Sequence, residues 1–376
     1  MKNKISSIIT VVSFLAVMVF FAVYGMLSPD SEISYSERRK LASLPEFSVK
    51  KLFGGEAGEG KYFAELEEYL LDQFPWRDGF RTVNVSARKY GYLQKDIGGI
   101  YVVRDRIFKM EYVLNEKAVE RAADVYLRVI EKYFSGNGAN VYYTVVPDKN
   151  YYSAKDNGRL SLDYEKMFSI MQSKMAGYGF IDIRDALSAD SYYRTDLHWE
   201  QQKITDVAEE LLAAMGNPAE IRTEDFTEKS FDGFKGAYYG QAALPLEPDR
   251  LVYLTNETLE SCKVYDFEKG DYVPMYAQEK LGGVDSYDVY LHGARALMTI
   301  ENPSAANDKT LVVFRDSFGS SLAPLLAGSY SKIILADIRY VNSAALGRFI
   351  EFPENCDVLF MYNTGTLNTL GQGSVS

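Results

Sequence analysis

Short, near-continuous apolar runs that alternate with amphipathic helical stretches constrain this chain most. Val141-Tyr142-Tyr143-Thr144-Val145-Val146, Thr310-Leu311-Val312-Val313-Phe314, Ile333-Ile334-Leu335 and Val358-Leu359-Phe360-Met361 offer no polar face to water. Strands of that kind must be covered on both sides, the condition of a parallel sheet between helical layers. The covering helices show the expected spacing of apolar residues. Val119, Ala122, Ala123, Tyr126, Val129 and Ile130 form one stripe within 118–133, and Val207, Ala208, Leu211, Leu212 and Met215 form another within 204–215. Further helices are predicted over 161–175 and 320–327, with a short strand at Phe180-Ile181-Asp182-Ile183. The predicted fold is therefore a three-layer α/β domain with a parallel sheet. The stretch from Gly216 to about Pro303 breaks the pattern and is rich in Gly and Tyr, so it is expected to be an elaborated insertion.

The other strong constraint is at the amino terminus. Lys2 and Lys4 precede an uncharged run from Ile8 to Leu27. A cleavable signal has an apolar core of roughly 7–15 residues and a small-residue cleavage site, whereas a spanning helix needs about 20. The length of the run, with no Ala-x-Ala site after it, favours an uncleaved transmembrane helix over a cleaved signal. The positive-inside rule places the rest of the chain outside the cytoplasm. Residues 28–90 read as a juxtamembrane stalk, polar and Gly-rich over 28–58, then helices near Phe63–Phe74 and Phe80–Ala87. Residues 91–376 form the remaining domain.

Composition excludes more than it assigns. A net charge of −11 supplies no basic stripe for nucleic acid. The two cysteines, Cys262 and Cys356, form no Cys-x-x-Cys motif, and neither a zinc site nor any organic cofactor is expected. They read as unpaired core residues, with a single disulfide as the alternative. The 29 tyrosines suit either a core or a sugar-binding surface.

Two segments could carry chemistry. In Phe314-Arg315-Asp316-Ser317-Phe318-Gly319, a hydroxyl follows a buried strand and opens a helix, at the carboxyl edge of the sheet where open α/β folds place ligands. Read alone, Ser317 is as well a helix N-cap. In Thr195-Asp196-Leu197-His198-Trp199, a carboxylate two residues from a histidine can fix its tautomer and make it a base toward a serine. Asp196 could equally cap the next helix. The chain has only two histidines, and the other, His292, has no adjacent carboxylate. His292 is therefore read as structural or as a substrate contact. Lys149, after Pro147-Asp148 at the end of a predicted strand, belongs to the same sheet edge, where it is a candidate polar contact to sugar, or to an ordinary turn. Tyr239 and Arg295, with Tyr238 and Tyr290, are further candidates for contacts to sugar.

These segments together resemble the bacterial DHHW family and the related alginate O-acetylation proteins, which are similar to circularly permuted SGNH hydrolases. The matching blocks are Ser36-Glu37-Arg38-Arg39-Lys40-Leu41 with Pro45, Asp72-Gln73-Phe74-Pro75-Trp76-Arg77-Asp78, Val146-Pro147-Asp148-Lys149, Asp196-Leu197-His198-Trp199, Phe231-Asp232-Gly233-Phe234-Lys235-Gly236 and Arg315-Asp316-Ser317-Phe318-Gly319. Leu197 stands where the family name has a histidine, and the second histidine of the motif is retained. The resemblance implies Ser317 as nucleophile, His198 as general base and Asp196 as its orienting carboxylate. It implies O-acetyl transfer to a cell-surface or secreted polysaccharide, with a membrane-bound O-acyltransferase as the donor partner. A carbohydrate acetylesterase of the same fold, or a non-catalytic glycan-binding or assembly protein, is the alternative.

Overall fold

The structure is a computed structural model, and it describes residues 2–47 and 61–370. The glycine-rich part of the expected stalk, 54–60, lies outside the described residues. The chain divides into two compact units: Met1–Ile97 with Ala243–Pro245, and Gly98–Ala242 with Leu246–Ser376.

The first unit begins with helix α1, Lys2–Leu27. Part of the expected stalk is ordered: Ile33–Ser34 pairs antiparallel with Arg39–Lys40. Helices α2, Lys61–Asp72, and α3, Arg77–Ser86, follow, separated at Pro75 as a proline break requires. Arg39 Nη1 donates to Asp72 Oδ2 at 2.8 Å, and this pairing holds the Asp72 carboxyl down at about 2. Arg77 and Arg81 lie 2.9 and 3.0 Å from Glu37. The two resemblance blocks of this region are thus fastened to each other by charge.

The second unit is built on one mixed sheet. In chain order its strands are β1 Asn140–Val146, β2 Gly179–Phe180, β3 Lys263–Asp266, β4 Asp271–Val273, β5 Leu297–Glu301, β6 Thr310–Arg315, β7 Lys332–Ala336 and β8 Asp357–Asn363. They lie side by side as β4-β3-β5-β7-β6-β8-β1-β2. The run from β7 to β2 is parallel, and β5, β3 and β4 extend it antiparallel.

That order corrects the reading of 216–303. Its last three strands are integral to the sheet, and only Thr227–Phe234 with Asp249–Thr255 forms a separate ribbon. Periodicity missed them because strands of three to five residues, spaced by turns, show too few alternations.

The four parallel strands predicted from apolar runs alternate between two cores. Leu311 and Val313 face one core, and Val312 and Phe314 the other. Leu359 and Met361 oppose Val358 and Phe360 in the same way. Helices α4, Glu116–Tyr133, and α5, Tyr164–Lys174, cover one face. Helices α6, Thr205–Ala214, and α8, Phe318–Leu326, cover the other, which makes the three layers. The apolar stripe of α4 is wholly buried, and Asn115 caps its start by accepting from the Ala118 N–H, worth about 1 kcal/mol. Cys262 packs on the first core and Cys356 on the second, so the sheet lies between two free thiols.

Candidate active site

Strand β6 ends at Arg315, and Ser317 follows at the position that opens α8. A serine there ordinarily caps its helix, but its side chain makes no cap hydrogen bond. Asp316 takes that role instead: its Oδ1 accepts from the Phe318 N–H at 3.1 Å. Its Oδ2 accepts from the Asn363 N–H and the Thr366 hydroxyl, which ties the end of β6 to the end of β8. Ser317 is thereby left half-exposed at the carboxyl edge of the sheet with its hydroxyl uncommitted to the helix.

The hydroxyl meets His198. Ser317 Oγ and His198 Nε2 are 2.7 Å apart, across 119 residues of sequence, and His198 Nδ1 lies 2.6 Å from Asp196 Oδ1. The three residues expected to act together are therefore hydrogen-bonded in line. Asp196 is fully buried and does not cap α6, whose N-cap is Ile204. A carboxylate can only accept, so the proton between Asp196 and His198 sits on Nδ1, and the Nε2 lone pair faces the serine.

The loop that carries Asp196 and His198 is fixed from four sides. It closes on itself, the Tyr193 N–H donating to the His198 carbonyl at 3.0 Å. Asp249, at the start of the ribbon's second strand, accepts from the Arg194 and Thr195 N–H groups and from the Thr195 hydroxyl. The segment at Gly236 crosses directly over Asp196. The Ala237 N–H donates to Asp196 Oδ2 at 2.6 Å, and the Gly236 N–H to Thr195 Oγ1 at 3.0 Å. Finally, Lys149 is buried beneath the loop and donates to the carbonyls of Tyr193, Arg194 and Asp196 at 2.6, 2.9 and 3.2 Å. Burial pushes its ammonium down to about 7 against the pull of Asp249. Its three N–H bonds are all directed at main-chain oxygens, so its position differs from the sugar contact expected of it.

The other expected contacts are also accounted for. His292 is buried, and its Nε2 bonds the Pro274 carbonyl at 2.9 Å. It stands in a left-handed run, Leu291, His292 and Gly293 with φ of 51°, 61° and 81°. Its ring fastens that turn, with Glu279 at 3.7 Å from Nδ1. Arg295 pairs with Asp266 at 2.8 Å, and Tyr290 is buried with its hydroxyl on the Val252 carbonyl. Tyr239 remains half-exposed on the short helix α7, Ala237–Ala242, with the Lys235 ammonium over its ring.

Composition gave no sign of the residue that lies flat on His198. The Tyr287 ring stacks on the imidazole at 3.8 Å between centroids and 7° between planes, and Phe318 closes another side at 4.9 Å. Burial holds the Tyr287 phenol well above its ordinary range, so it stays neutral and bonds Ser321 Oγ at 2.8 Å. The Trp199 indole donates to that same Ser321 oxygen at 2.9 Å. Tyr287→Phe keeps the ring and is expected to change turnover by only a few fold. Tyr287→Ala frees the imidazole and is expected to lower kcat about 10²-fold with KM little changed. Steady-state kinetics on both variants checks this, with a melting curve to separate loss of fold; equal kcat in Tyr287→Ala and wild type would refute the role.

The chain is a three-layer α/β protein that sets a serine, a histidine and a carboxylate in line at the carboxyl edge of a parallel-rich sheet, between two helical layers. The chain belongs to the DHHW protein family, whose model matches residues 93–336. Among solved structures it resembles a DHHW family protein from Eubacterium siraeum, with TM-score 0.58 and 21% identity over 71% of this chain and 91% of that one. Bacillus cereus PatB1, solved with a sulfonyl adduct, gives 0.56 and 17% over 71% and 95%. A weaker likeness, 0.43 and 12% over 72% and 92%, is to the O-acetyltransferase domain of Pseudomonas putida AlgJ. No curated protein matches the sequence.

Proposed function

We propose that this protein is an extracytoplasmic, serine-dependent O-acetyltransferase that modifies a cell-surface or secreted polysaccharide. The observation that carries the reading is the unbroken line Asp196–His198–Ser317, at 2.6 and 2.7 Å, with the half-exposed serine at its open end. Ser317 Oγ attacks the carbonyl carbon of the acyl donor while its proton passes to His198 Nε2. The leaving group departs with that proton, and the acetyl group stays as an ester on Ser317. A sugar hydroxyl then gives its proton to Nε2 and attacks the ester, and the serine recovers its proton. The Ser317 main-chain N–H at the start of α8 would stabilise the oxyanion. Helix α1 would hold the domain outside the membrane, within reach of a membrane-bound O-acyltransferase that supplies the donor. Of the expected sugar contacts, Tyr239 keeps an exposed face beside the segment that holds Asp196.

Intact mass after incubation with an activated acetyl ester tests the intermediate. One acetyl group should appear, map to Ser317 and be missing from Ser317→Ala. Because PatB1 has been solved with a sulfonyl adduct, a sulfonyl fluoride is a second probe of the same hydroxyl. With a cell-surface oligosaccharide added, acetylated sugar should accumulate faster than free acetate. Ser317-dependent acetate release that the oligosaccharide never diverts would replace transfer with ester hydrolysis.

A further inference from the structure

Beyond α1, the first unit exposes a run of large apolar side chains. Trp76, Phe80 and Val83 are 56%, 47% and 67% exposed, with Leu70, Leu71 and Tyr90 exposed beside them in sequence. On α3, Phe80 and Val83 are three residues apart and share one face, with Trp76 at the N-cap before them and Tyr90 in the π-helical Ala87–Gly91 after them. Arg77 and Arg81 occupy another face, where they bind Glu37. The polar side of this element is satisfied, and its apolar side has no polypeptide over much of it among the described residues.

What covers that side is indicated by where it lies on α1. Residues 4–27 of that helix are long and apolar enough to cross a membrane. Phe74 and Phe80 pack on Phe21 at 5.4 and 5.7 Å, and Trp76 packs on Tyr24 at 5.2 Å. Phe21 precedes Leu27 by six residues, about 9 Å of helix at ~1.5 Å per residue. The aromatic corner at Phe74-Pro75-Trp76 is therefore level with the last turns of the apolar helix and not beyond its end. Polar bonds begin immediately past it. Gln73 bonds both the N–H and the carbonyl of Ser31, and Tyr69 bonds Asp30. An apolar belt bounded by tryptophan and tyrosine, with a polar layer above, matches the outer boundary of a bilayer.

We propose that the Phe74–Tyr90 element is a second membrane-contact site, seated in the headgroup and acyl boundary of the outer leaflet beside α1. This rests on α1 being a retained span. It adds that the first unit lies on the bilayer, its apolar face in lipid and its Arg39, Arg77 and Arg81 side turned to water.

The chain's two tryptophans make the test direct. Trp199 is fully buried within the second unit, so accessible emission reports Trp76. The full-length protein is reconstituted into phosphatidylcholine vesicles whose acyl chains carry bromine at shallow or deep positions. Shallow bromines should quench the emission more than deep ones, iodide in the water should quench little, and Trp76→Phe should lose the lipid-dependent quenching. Quenching by iodide and not by brominated lipid, with the protein still resisting alkaline extraction, would overturn this inference and leave the anchor standing. Shielding from both quenchers would overturn it in favour of a protein partner. A soluble chain beginning near residue 28 would refute the anchor and, with it, this site.

Discussion

Replacing His198 with alanine should abolish acetyl-serine formation, lowering the acylation rate on the order of 10⁴–10⁶-fold, the scale on which removal of a base in a serine triad is felt. His292→Ala should leave acylation within a few fold of wild type. The contrast follows from what each imidazole touches. His198 presents Nε2 to the Ser317 hydroxyl at 2.7 Å, with Asp196 behind it. His292 spends its Nε2 on the Pro274 carbonyl in a left-handed turn. Losing that bond should show mainly as a lower melting temperature, because the freed carbonyl and the ring's small cavity cost about 1–3 kcal/mol. Rapid-mixing assays with an activated acetyl ester measure the first effect, and thermal denaturation the second. Comparable loss of acylation in both variants would remove His198 from the role of base.

The three residues of this line were legible for a physical reason. A serine just after a buried strand and an Asp-x-His on a loop are local patterns, and the scarcity of histidine made one pairing stand out. What could not be read locally was which of two legitimate roles each residue takes. Ser317 and Asp196 both suit helix N-caps, and the decision lies elsewhere, in Asp316 capping α8 and in α6 starting at Thr205, well past Asp196. Lys149 poses a related problem. A lysine at the end of a strand suits a site edge or a turn equally well, and only the loop from Tyr193 to Asp196, which folds over it and offers carbonyls at hydrogen-bonding distance, gives its ammonium partners. Tyr287 was invisible because nothing about a single tyrosine among 29 marks the one that stacks on a histidine. The sheet shows the same division. Fully apolar strands announced themselves, whereas β3 to β5 are short and carry Lys, Asp and Glu at their ends, so their membership depends on neighbours far away in sequence.

Gly236 packs directly on the loop that carries Asp196, and Gly236→Ala should lower acylation about 10²- to 10³-fold, as for a displaced catalytic group. A Cβ built at Gly236 would stand 2.3 Å from the Asp196 Cβ, 2.5 Å from its Cα and 2.6 Å from its N. No rotamer relieves this, because the opposing atoms are main chain and side-chain stem. Either the Asp196 loop or the 236–237 segment must move. Both movements break the Ala237 N–H bond to Asp196 Oδ2 and the Gly236 N–H bond to Thr195 Oγ1. Asp196 then loses a donor to its second oxygen in a fully buried site, and the carboxylate no longer holds His198 in register with Ser317. The backbone at Gly236 is not left-handed, so the substitution acts through space and not through conformational strain. A structural defect alone would lower stability, typically by 1–3 kcal/mol for overpacking, and leave the acylation rate of the folded fraction intact. Acylation normalised to folded protein therefore separates the two. A wild-type normalised rate in Gly236→Ala would show that the 236–237 segment does not hold Asp196 in place.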